Sequence, residues 1–570
     1  MSNFFETKKI NNNDQQGRDS QQAQEINTVS QNKMVTDLDQ ELRVFTFHDK
    51  IGEQFEISTK KIGGIYEIYN NLNKGKTEEK KVENPKNLAT IIKAFKNHRR
   101  LITNNENKEI NKSPHLLISG GFVRDVLTNQ IPNDIDLITN MPSSEIYSLV
   151  KNLSNIKSIG VHGESSEVVR VKFRNGEEYE ISSFKNAGEK NGIINPSQDA
   201  GAREFTANAL FYNPLSGQVI DYVGGIKDIE KKRIRFTGSA KKRIDEDGIR
   251  MMRYIRFLYK TGFSAIDEDR EVVRKLAPKI KKEATERIKT ELDRILQLAS
   301  ADKIIETFDD LGLLEQIFPE VKKLQNCKQG PPYHMEGDVY KHTLLVLEKL
   351  PKIASSRLKW ATIFHDIAKP ETREETEKDG KNKVSFLQHD QVGADKAGSI
   401  LKRANFSNKE IEDIKWLIAN HQMLFQKVSN RVKESDEKNH NRVRNRAKAV
   451  FKKMIMSKGI ELVDDLVKLA IADSQGKISK EGDNKQDQEI IKEIFNEAKR
   501  DLKESEKNGV DFKKLINGKI IMEALNIKPS SEIGKIKKQI LDILLESGEN
   551  FDSEDLAKTR IRELILEFKK

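Results

Sequence analysis

Residues 120–139, GGFVRDVLTNQIPNDIDLIT, decide how the first half of this chain folds. The apolar run HLLIS at residues 115–119 precedes them and is typical of a buried strand, whereas helical spacing follows Gly120 and Gly121. Two glycines between a strand and a helix let backbone amides approach an anion, and the amino terminus of the helix adds favourable partial charge. We therefore predict a strand, a tight turn and a helix that together can bind phosphate.

A pair of carboxylates follows in the run DIDLI. On a strand, Asp134 and Asp136 would project from one face while Ile135 and Leu137 enter the core. An isolated pair of this kind is most often a solvated edge-strand feature, but the nearby glycines favour a Mg²⁺ site. Such ions can activate a hydroxyl and neutralise charge on a departing pyrophosphate. Glu180, on a later strand-like run, is a candidate third carboxylate.

Composition limits the class of protein. A length of 570 residues predicts three to five domains, and 100 basic against 89 acidic residues is compatible with an anionic partner such as RNA. Cys327 is the single cysteine, which excludes an intrachain disulfide framework and suits a reducing cytoplasm. No apolar run or secretory signal predicts a membrane partner, and no segment indicates an obligate protein partner.

Pattern changes predict a multidomain α+β chain, in which a small α/β head with a mixed sheet is followed by a long all-α body. A hairpin is expected within 43–69, and the charge-rich stretches 371–383 and 432–448 are interpreted as exposed loops or solvated helix faces. The predicted parts are a disordered tail (1–43), a small extension and linker (44–86), the head (87–230), a helical neck (231–325), a helical metal-binding domain (326–480) and a helical carboxy-terminal region (481–570).

The segment 120–139 resembles the first signature of the class II tRNA nucleotidyltransferase and bacterial poly(A) polymerase superfamily. AREFTANALFYNPLSGQVIDYVGGIKDI, from Ala202, resembles the second signature, and RIRFTG, from Arg233, resembles the link into the neck. The similarity extends over about residues 89–570. It implies catalysis by Asp134, Asp136 and Glu180 with Mg²⁺, and nucleotide binding by Gly120, Gly121, Arg124, Arg203, Asn208, Asp247, Arg250, Arg253 and Arg256, with Glu204 near the ribose.

Five positions depart from the superfamily's usual pattern. Ala202 and Glu204 stand in a triplet that is usually Arg-Arg-Asp, and Lys185 stands where arginine is usual. Near the carboxy terminus, Ser530 and Ser531 replace a more usual Gly-Pro. Altered ribose discrimination or triphosphate affinity is the expected consequence of the first two departures.

The segment EDGIR at residues 246–250 resembles the superfamily's nucleotide-selecting motif. On one helix, Asp247 and Arg250 would share a face and place an acceptor beside a donor. Cytosine and adenine offer the complementary edge, whereas guanine and uracil would leave buried groups unpaired at ~1 to 3 kcal/mol each. The alternative is an intrahelical salt bridge of ~0.2 to 0.5 kcal/mol. The position directly after RIRFTG favours nucleotide selection.

A second set of residues resembles the HD-type phosphohydrolases through the segments HTLLVL, IFHDIAK, LQHDQVG and ANHQM. Imidazoles and carboxylates within one helical domain suit a divalent transition metal, such as Ni²⁺ or Mn²⁺, which would activate water against a phosphate ester. A lone His-Asp pair would usually be a surface feature, but here several such residues occur in the expected order. The predicted ligands, on predicted helices, are His342, His365, Asp366 and Asp473, with His389 and His421 between them.

Together, the resemblances imply addition of CCA to tRNA 3′ ends from CTP and ATP, with lysines and arginines of the helical body contacting RNA phosphates. The HD domain implies 2′,3′-cyclic phosphodiesterase or phosphatase activity on RNA ends. Two alternatives remain open. The chain could be a poly(A) polymerase or a partial CC- or A-adding enzyme, or its head could be a degenerate RNA-binding module beside an active HD phosphohydrolase, as Ala202 suggests.

Overall fold

The computed structural model divides the chain into two compact units, Met1–Leu276 and Ala277–Lys570. The predicted tail, Lys185 and much of the predicted linker lie outside the residues that the structure describes. Those residues are 43–48, 54–63, 65–74, 85–105, 115–132, 134–162, 168–184, 196–330, 335, 337–378, 381–478 and 485–568.

A nine-stranded sheet forms the centre of the first unit. Its strands are β1 (Arg43–His48), β2 (Gln54–Lys61), β3 (Leu116–Ser119), β4 (Asp136–Thr139), β5 (Ile156–His162), β6 (Val168–Phe173), β7 (Glu178–Ser183), β8 (Leu210–Asn213) and β9 (Gln218–Asp221). Their order is β1-β2-β9-β8-β3-β4-β7-β6-β5. Strands β4 and β7 run parallel, and the other neighbouring pairs are antiparallel. The prediction of a mixed sheet is therefore confirmed.

Among the described residues, the first unit also contains nine α-helices. They are α1 (Ile65–Asn73), α2 (Lys86–Asn105), α3 (Gly121–Leu127), α4 (Ser143–Val150), α5 (Pro196–Ala202), α6 (Gly225–Glu230), α7 (Ala240–Glu246), α8 (Arg250–Thr261) and α9 (Asp267–Leu276). Two short strands, β10 (Arg233–Ile234) and β11 (Ser264–Ala265), pair in parallel. Leu117, Ile138 and Phe211 belong to a buried cluster beneath the central strands.

The hairpin expected near the amino terminus is present as β1 and β2. It does not stand alone, because β2 also pairs with β9 and so extends the sheet of the head. The hydroxyl of Tyr212 donates a hydrogen bond of 2.7 Å to the carbonyl of Gly63, which joins the segment after β2 to β8. Pairing between strand edges is made by backbone groups and depends little on which side chains are present. The sequence pattern therefore did not indicate that β2 pairs with β9.

The second unit is largely helical. Its helices are α10 (Thr285–Leu296), α11 (Ala301–Asp310), α12 (Leu313–Ile317), α13 (Pro319–Lys322), α14 (Val339–Lys349), α15 (Ser356–Phe364), α16 (His389–Arg403), α17 (Asn408–Asn420), α18 (Asn430–Lys433), α19 (His440–Lys458), α20 (Ile460–Gly476), α21 (Lys485–Lys507), α22 (Phe512–Leu515), α23 (Gly518–Leu525), α24 (Ser531–Ser547) and α25 (Glu554–Glu567). The predicted long helical body is confirmed. No helix among the described residues is both long and apolar enough to cross a membrane.

The interpretation of 371–383 as a loop or helix face is wrong. Strands β12 (Arg373–Lys378) and β13 (Lys381–Phe386) form an antiparallel hairpin there. The run REETEKDGKNKV lacks apolar alternation, so period-2 patterning could not reveal the strands. The dipeptide Asp379-Gly380 between them is nevertheless a strong hairpin signal.

A close backbone approach at Gly225 leads to a first prediction. A Cβ atom there would lie 2.8 Å from the carbonyl carbon of Thr206 and would also overlap its oxygen. The Thr206 backbone cannot move aside as easily as a flexible side chain. Gly225→Ala is therefore expected to lower the free energy of unfolding by about 2 to 3 kcal/mol. Urea denaturation measures this change. Gly201→Ala is the matched control, since no atom lies within 4 Å of its added methyl group. Equal stabilities of the two variants would contradict the packing described.

A buried carboxyl in α9 leads to a second prediction. Asp269 accepts a hydrogen bond of 2.8 Å from the Phe236 amide, and burial raises its pKa to about 6. The folded state therefore holds this proton more tightly than the unfolded state, so this group's contribution makes folding more favourable as pH falls from about 7 toward 4. Asp269→Asn keeps an acceptor oxygen and should remove roughly 2 to 3 kcal/mol of that pH dependence. Denaturation from pH 7 to 4 compares the two proteins, and identical slopes would contradict the assignment.

Candidate functional site: a carboxylate and glycine-turn site in the head and a histidine-rich cluster in the helical unit

The strand pairing of the head brings two of the predicted carboxylates together. Asp136 begins β4 and lies opposite Glu180 of the parallel strand β7, so both side chains leave the same face of the sheet. Partial desolvation, followed by the charges of Asp134 and Glu180, raises the pKa of Asp136, whereas Arg203 opposes the shift. Negative charge is therefore concentrated where β4 begins, next to β7.

The expectation that Asp134 occupies the same strand as Asp136 is wrong. Strand β4 begins at Asp136, and Asp134 lies in the preceding segment, where its side chain is exposed. Ile135 is half-buried and only Leu137 is fully enclosed. Strand β3 ends at Ser119, opposite Asp136, so β3 has no further strand residue that could pair toward Asp134. Asp134 still lies close enough to act electrostatically on Asp136.

Glu180 has a cationic neighbour. Arg170 lies opposite it on β6, and its guanidinium donates to the Glu180 carboxylate at 2.5 and 3.0 Å. Both side chains are more than two-fifths exposed, so water screens this pair. The negative charge of Glu180 is consequently more fully neutralised by a neighbouring cation than that of Asp136.

The glycine turn approaches the carboxylates directly. Gly120 has a φ of +72°, which favours glycine, and a Cβ atom there would lie 3.3 Å from Arg203 Nη1 and 3.9 Å from Asp136 Oδ2. Arg203 donates to Asp199 at 2.9 Å and to the carbonyl of Asn208 at 3.3 Å. A fixed guanidinium, a side-chain-free turn and a carboxylate therefore meet at one place.

Arg124, predicted to bind phosphate, is buried and already engaged. It donates to Asp125 at 2.8 Å and to the side-chain oxygen of Asn208 at 2.5 Å, and it lies 5.4 Å from the ring centre of Phe257. These contacts join α3 to the turn at Asn208 and to α8. Arg124 and Asn208 therefore fix one another's side chains, and the Arg124 guanidinium lies next to Gly121.

The arginines of α8 lie on one helical face. Arg253 donates to Glu204 at 2.9 Å, and Arg256 packs 4.8 Å from the ring centre of Phe257. The sequence reasoning missed Lys260, whose pKa is lowered by partial desolvation and by the charges of Arg124 and Arg256. Its position four residues after Arg256 was the available signal.

The prediction that one helix carries Asp247 and Arg250 is wrong. Helix α7 ends at Glu246, Asp247 is extended with φ −160° and ψ 104°, and α8 begins at Arg250. The Asp247 side chain accepts a hydrogen bond of 3.2 Å from the Ile249 amide, a local turn that competes with helix. Arg250 donates to Glu246 at 2.6 Å and to the carbonyl of Arg243 at 2.8 Å.

In the second unit, the predicted histidines converge. His342 lies in α14 and His389 begins α16, but His365 and His421 are the residues directly after α15 and α17 rather than within helices. The Nδ1 atoms of three of them contact backbone carbonyl oxygens at 2.7 to 2.8 Å, which directs their Nε2 atoms inward. These three are His365, His389 and His421.

Two buried carboxylates complete this cluster. Asp473 of α20 lies 3.0 Å from His342 Nε2, and Asp366 lies within 3.2 to 4.0 Å of four imidazoles. Neighbouring histidines and lysines hold the pKa values of both carboxyls well below their usual range despite burial. Burial lowers the pKa of His421 to about 4, so its imidazole is neutral at pH 7 and can serve as a ligand.

The cluster fits a divalent metal. Its donor atoms form two groups, His342–His365–Asp366 and Asp366–His389–His421, in each of which all chosen atoms lie within 4.8 Å of one another. The Nε2 atom of His365 is buried and has no hydrogen-bond partner among the described residues, as expected for a ligand atom. Neutral imidazoles with carboxylates suit a transition metal.

Three further residues of this cluster escaped the sequence reasoning. Lys369 Nζ lies 2.7 Å from Asp366 and 2.5 Å from the side-chain oxygen of Gln329. Lys477 lies 2.7 Å from Asp473. Helical spacing of three and four residues from the two aspartates was a usable signal for the lysines, whereas nothing local indicates Gln329.

Three family models match consecutive parts of the chain. They are the poly(A) polymerase head domain at residues 116–235, the probable RNA and SrmB-binding site of polymerase A at 262–324, and the HD domain at 339–493. The fold and the carboxylate-glycine site thus define a nucleotidyltransferase-type head, followed by an HD domain. In these matches the chain is similar to the class II CCA-adding enzymes and bacterial poly(A) polymerases.

Curated relatives resemble parts of the chain. The CCA-adding enzyme of Bacillus pumilus is 32% identical over 227 residues, which are 38% of this chain and 54% of the relative. Poly(A) polymerase I of Haemophilus influenzae is 31% identical over 35% of this chain and 47% of the relative. The A-adding tRNA nucleotidyltransferase of Deinococcus radiodurans is 26% identical over 61% and 75%. The chain spans about half the length of the first two relatives.

Solved structures share the fold. The CCA-adding enzyme of Bacillus stearothermophilus in complex with CTP matches with a TM-score of 0.56 at 18% identity, over 85% of this chain and 97% of that one. The Thermotoga maritima CCA-adding enzyme complexed with tRNA matches with a TM-score of 0.50 at 17% identity, over 90% and 100%. At these identities the likeness concerns the fold alone.

Proposed function

We propose that this protein adds the nucleotides CCA to tRNA 3′ ends from CTP and ATP without a template. The observation that carries this proposal is the meeting of Gly120, Arg203 and Asp136 at one sheet edge, beside Glu180 and Asp134. A turn without side chains, a fixed cation and adjacent carboxylates are what a triphosphate and its metal ions require. The CCA-adding relatives support the same activity.

In this proposal, Asp134 and Asp136 hold Mg²⁺, with Glu180 as a third carboxylate. Their fit to a hard cation rests on oxygen donors and on the desolvation and carboxylate repulsion that together raise the pKa of Asp136. When bound, Mg²⁺ supplies the positive charge that activates a 3′-hydroxyl and neutralises the departing pyrophosphate. The carboxylates would orient the RNA 3′ end and the nucleotide. Arg170 pairs with Glu180 at the surface and so reduces the negative charge that Glu180 adds to the site.

The triphosphate would lie on the Gly120–Gly121 turn. Arg203 offers the guanidinium next to this turn, and its contacts with Asp199 and Asn208 fix its direction. The Arg124 guanidinium lies next to this turn, at Gly121, and is held there by Asp125. Arg253 and Arg256 on α8 would contribute further positive charge, although Arg253 is already paired with Glu204.

Asp247 and Arg250, which lie at the junction between α7 and α8, would select the base of the incoming nucleotide. The Glu246 carboxylate pairs with one side of the planar Arg250 guanidinium. The other N–H groups of the guanidinium can then donate to a ring nitrogen of the base. Asp247 would accept from the amino group of cytosine or adenine. Rotation of these two side chains away from their local contacts would adapt the junction to either base.

This assignment leads to a third prediction. Asp247→Ala is expected to reduce the preference for CTP over UTP by about 10- to 100-fold, because it removes the half-buried acceptor for the cytosine amino group, a contact worth ~1 to 3 kcal/mol. Single-turnover addition to tRNA lacking CCA measures both rates. Asp245→Ala is the matched control, since that side chain pairs with Lys241 on the solvent side of α7. Unchanged discrimination in Asp247→Ala would remove these residues from base selection.

The HD cluster would hydrolyse phosphate esters at RNA ends. His342, His365, Asp366 and Asp473, with His389 and His421, would hold a divalent transition metal such as Ni²⁺ or Mn²⁺. Bound there, the metal would lower the pKa of a coordinated water. Lys369 is positioned by Gln329 beside Asp366 and can neutralise an approaching phosphate. A 2′,3′-cyclic phosphate or a terminal phosphate is the expected substrate.

We place this chemistry in the cytoplasm, where the single Cys327 would remain reduced and tRNA is available. Lysines and arginines of the neck and carboxy-terminal helices would bind tRNA phosphates. No membrane and no obligate protein partner are needed for either reaction. Residues 231–325 act as the neck in this proposal and 481–570 as the tRNA-binding region.

The test supplies purified protein and Mg²⁺ with tRNA transcripts that end before CCA, together with CTP, ATP or both. Addition that stops after three nucleotides, and is absent from an Asp134→Ala, Asp136→Ala variant, supports CCA synthesis. Long A tails would instead establish a poly(A) polymerase, and stopping after CC or A alone a partial enzyme. Phosphohydrolase activity without any addition would establish the degenerate-head alternative that Ala202 suggests.

A further inference from the structure

The third candidate carboxylate of the head, Glu180, lies in a row that also contains a cation. Strands β6, β7 and β4 are neighbours in the sheet, and their register sets Arg170 beside Glu180 and Glu180 beside Asp136. Residues that lie side by side on paired strands project from the same face, and neighbouring strands are ~4.8 Å apart. One guanidinium therefore shares a sheet face with the carboxylates of the head.

The guanidinium of Arg170 is held by two carboxylates of β7. Its Nε and Nη2 atoms donate to one oxygen of Glu180, Oε1, at 3.0 and 2.5 Å. Nε also lies 3.2 Å from Glu178 Oε1. A carboxylate oxygen offers about two lone pairs, so these two N–H groups occupy Glu180 Oε1. Only Oε2 of Glu180 remains open to another ligand.

We propose that Arg170 competes with the metal ion of the head for Glu180. This inference rests on the proposed nucleotidyl transfer, which assigns Glu180 to the metal site beside Asp134 and Asp136. A dication at Oε2 would lie close to the full positive charge of the guanidinium, and like charges at such a distance repel. Glu180 therefore joins the metal site fully only when the guanidinium turns away from it.

The exposure of the pair sets the size of the effect. The side chains of Arg170 and Glu180 are 46% and 43% exposed, so water screens their attraction. Exposed pairs of this kind shift an equilibrium by about 2- to 5-fold. The guanidinium can also stay with Glu178 after it leaves Glu180, which makes its displacement easier. Arg170 therefore lowers the metal affinity of the head without abolishing it.

A supporting role for Arg170 would have the opposite sign. Hydrogen bonds to a ligating carboxylate can fix its direction and so strengthen metal binding. That benefit depends on a side chain held in one orientation, whereas both partners here lie on the exposed surface of the sheet. The added positive charge beside a dication opposes binding in either case. Competition is therefore the favoured role, and the direction of the change in affinity distinguishes the two.

Mn²⁺ binding to the full-length chain tests the proposal without RNA or nucleotide. Mn²⁺ accepts carboxylate ligands, and loss of the electron paramagnetic resonance signal of free Mn²⁺ gives the affinity. The HD cluster is the same in every variant, so differences between variants report the head. Arg170→Gln should tighten binding by about 2- to 5-fold. Unchanged or weaker binding in this variant would overturn the proposal.

Lys172→Gln is the matched control. Lys172 lies on the same strand, two residues from Arg170, and pairs with Glu178 instead of Glu180. Its substitution also removes one positive charge, but it should change the Mn²⁺ affinity by less than about 1.5-fold, since it frees no carboxylate of the metal site. Equal tightening in Lys172→Gln and Arg170→Gln would mean that net charge, and not competition, sets the affinity.

Two further variants separate the competition from the metal site itself. In a Glu180→Gln background, Arg170→Gln should no longer tighten binding, because the shared carboxylate is absent. The full effect in that background would contradict competition for Glu180. Asp136→Asn should weaken Mn²⁺ binding. If it does not, the assigned metal site is wrong and the competition falls with it, whereas weakened binding in Asp136→Asn without an effect of Arg170→Gln defeats the competition alone.

Discussion

Asp136→Asn is expected to lower the rate of nucleotide addition at least about a thousandfold, which corresponds to ~4 kcal/mol of lost transition-state stabilisation. The substitution keeps the shape of the side chain but removes the carboxylate charge beside the Gly120 turn. Binding of tRNA should be nearly unchanged, because the side chain is not part of the basic helical surface. Single-turnover extension of tRNA lacking CCA measures the rate, and filter binding measures affinity.

Glu178→Gln is the matched control for this prediction. Glu178 lies two residues before Glu180 on β7, and its side chain, which is 37% exposed, pairs with Arg170 and Lys172. Its substitution removes one negative charge from the same strand and should leave the rate within about twofold, since exposed pairs contribute little. Comparable loss in both variants would mean that overall charge, rather than a carboxylate at Asp136, governs the reaction.

The second large effect is expected at the HD cluster. Asp366→Asn should lower phosphohydrolase activity on RNA ends at least about a thousandfold, because the carboxylate shared by both groups of donor atoms is lost. CCA addition by the same preparation should continue, since the head carries its own carboxylates. The measurement is release of phosphate from a 2′,3′-cyclic or 3′-phosphorylated RNA end, run beside the extension assay.

Stability must be checked for this variant. Asp366 is buried against Lys369, and removing one partner of a buried pair costs about 3 to 5 kcal/mol. Asp395→Asn on α16 is the control, since its side chain is 82% exposed. Circular dichroism should show folded protein for both. Retention of hydrolysis in a folded Asp366→Asn protein would move that activity away from the cluster.

The sequence by itself determined most of the chemistry-bearing positions. Two glycines after an apolar run predicted the turn at Gly120, because few other residues tolerate its positive φ. Helical spacing predicted the long body. These two inferences succeeded because local backbone preference and apolar periodicity act over a few residues and are visible in a single segment. The second cluster was expected instead from the resemblance of its segments to HD-type phosphohydrolases.

Tertiary structure alone decided which of these residues meet. The pairing of β4 with β7, 44 residues apart in the register Asp136 to Glu180, sets the carboxylate pair, and no local pattern encodes that register. Likewise, the local turn at Asp247 prevailed over the helical spacing that had suggested one continuous helix. The position of Asp366 among four imidazoles depends on several helices packing together. Such arrangements arise from long-range packing and backbone pairing, whose energies depend on neighbours distant in the chain.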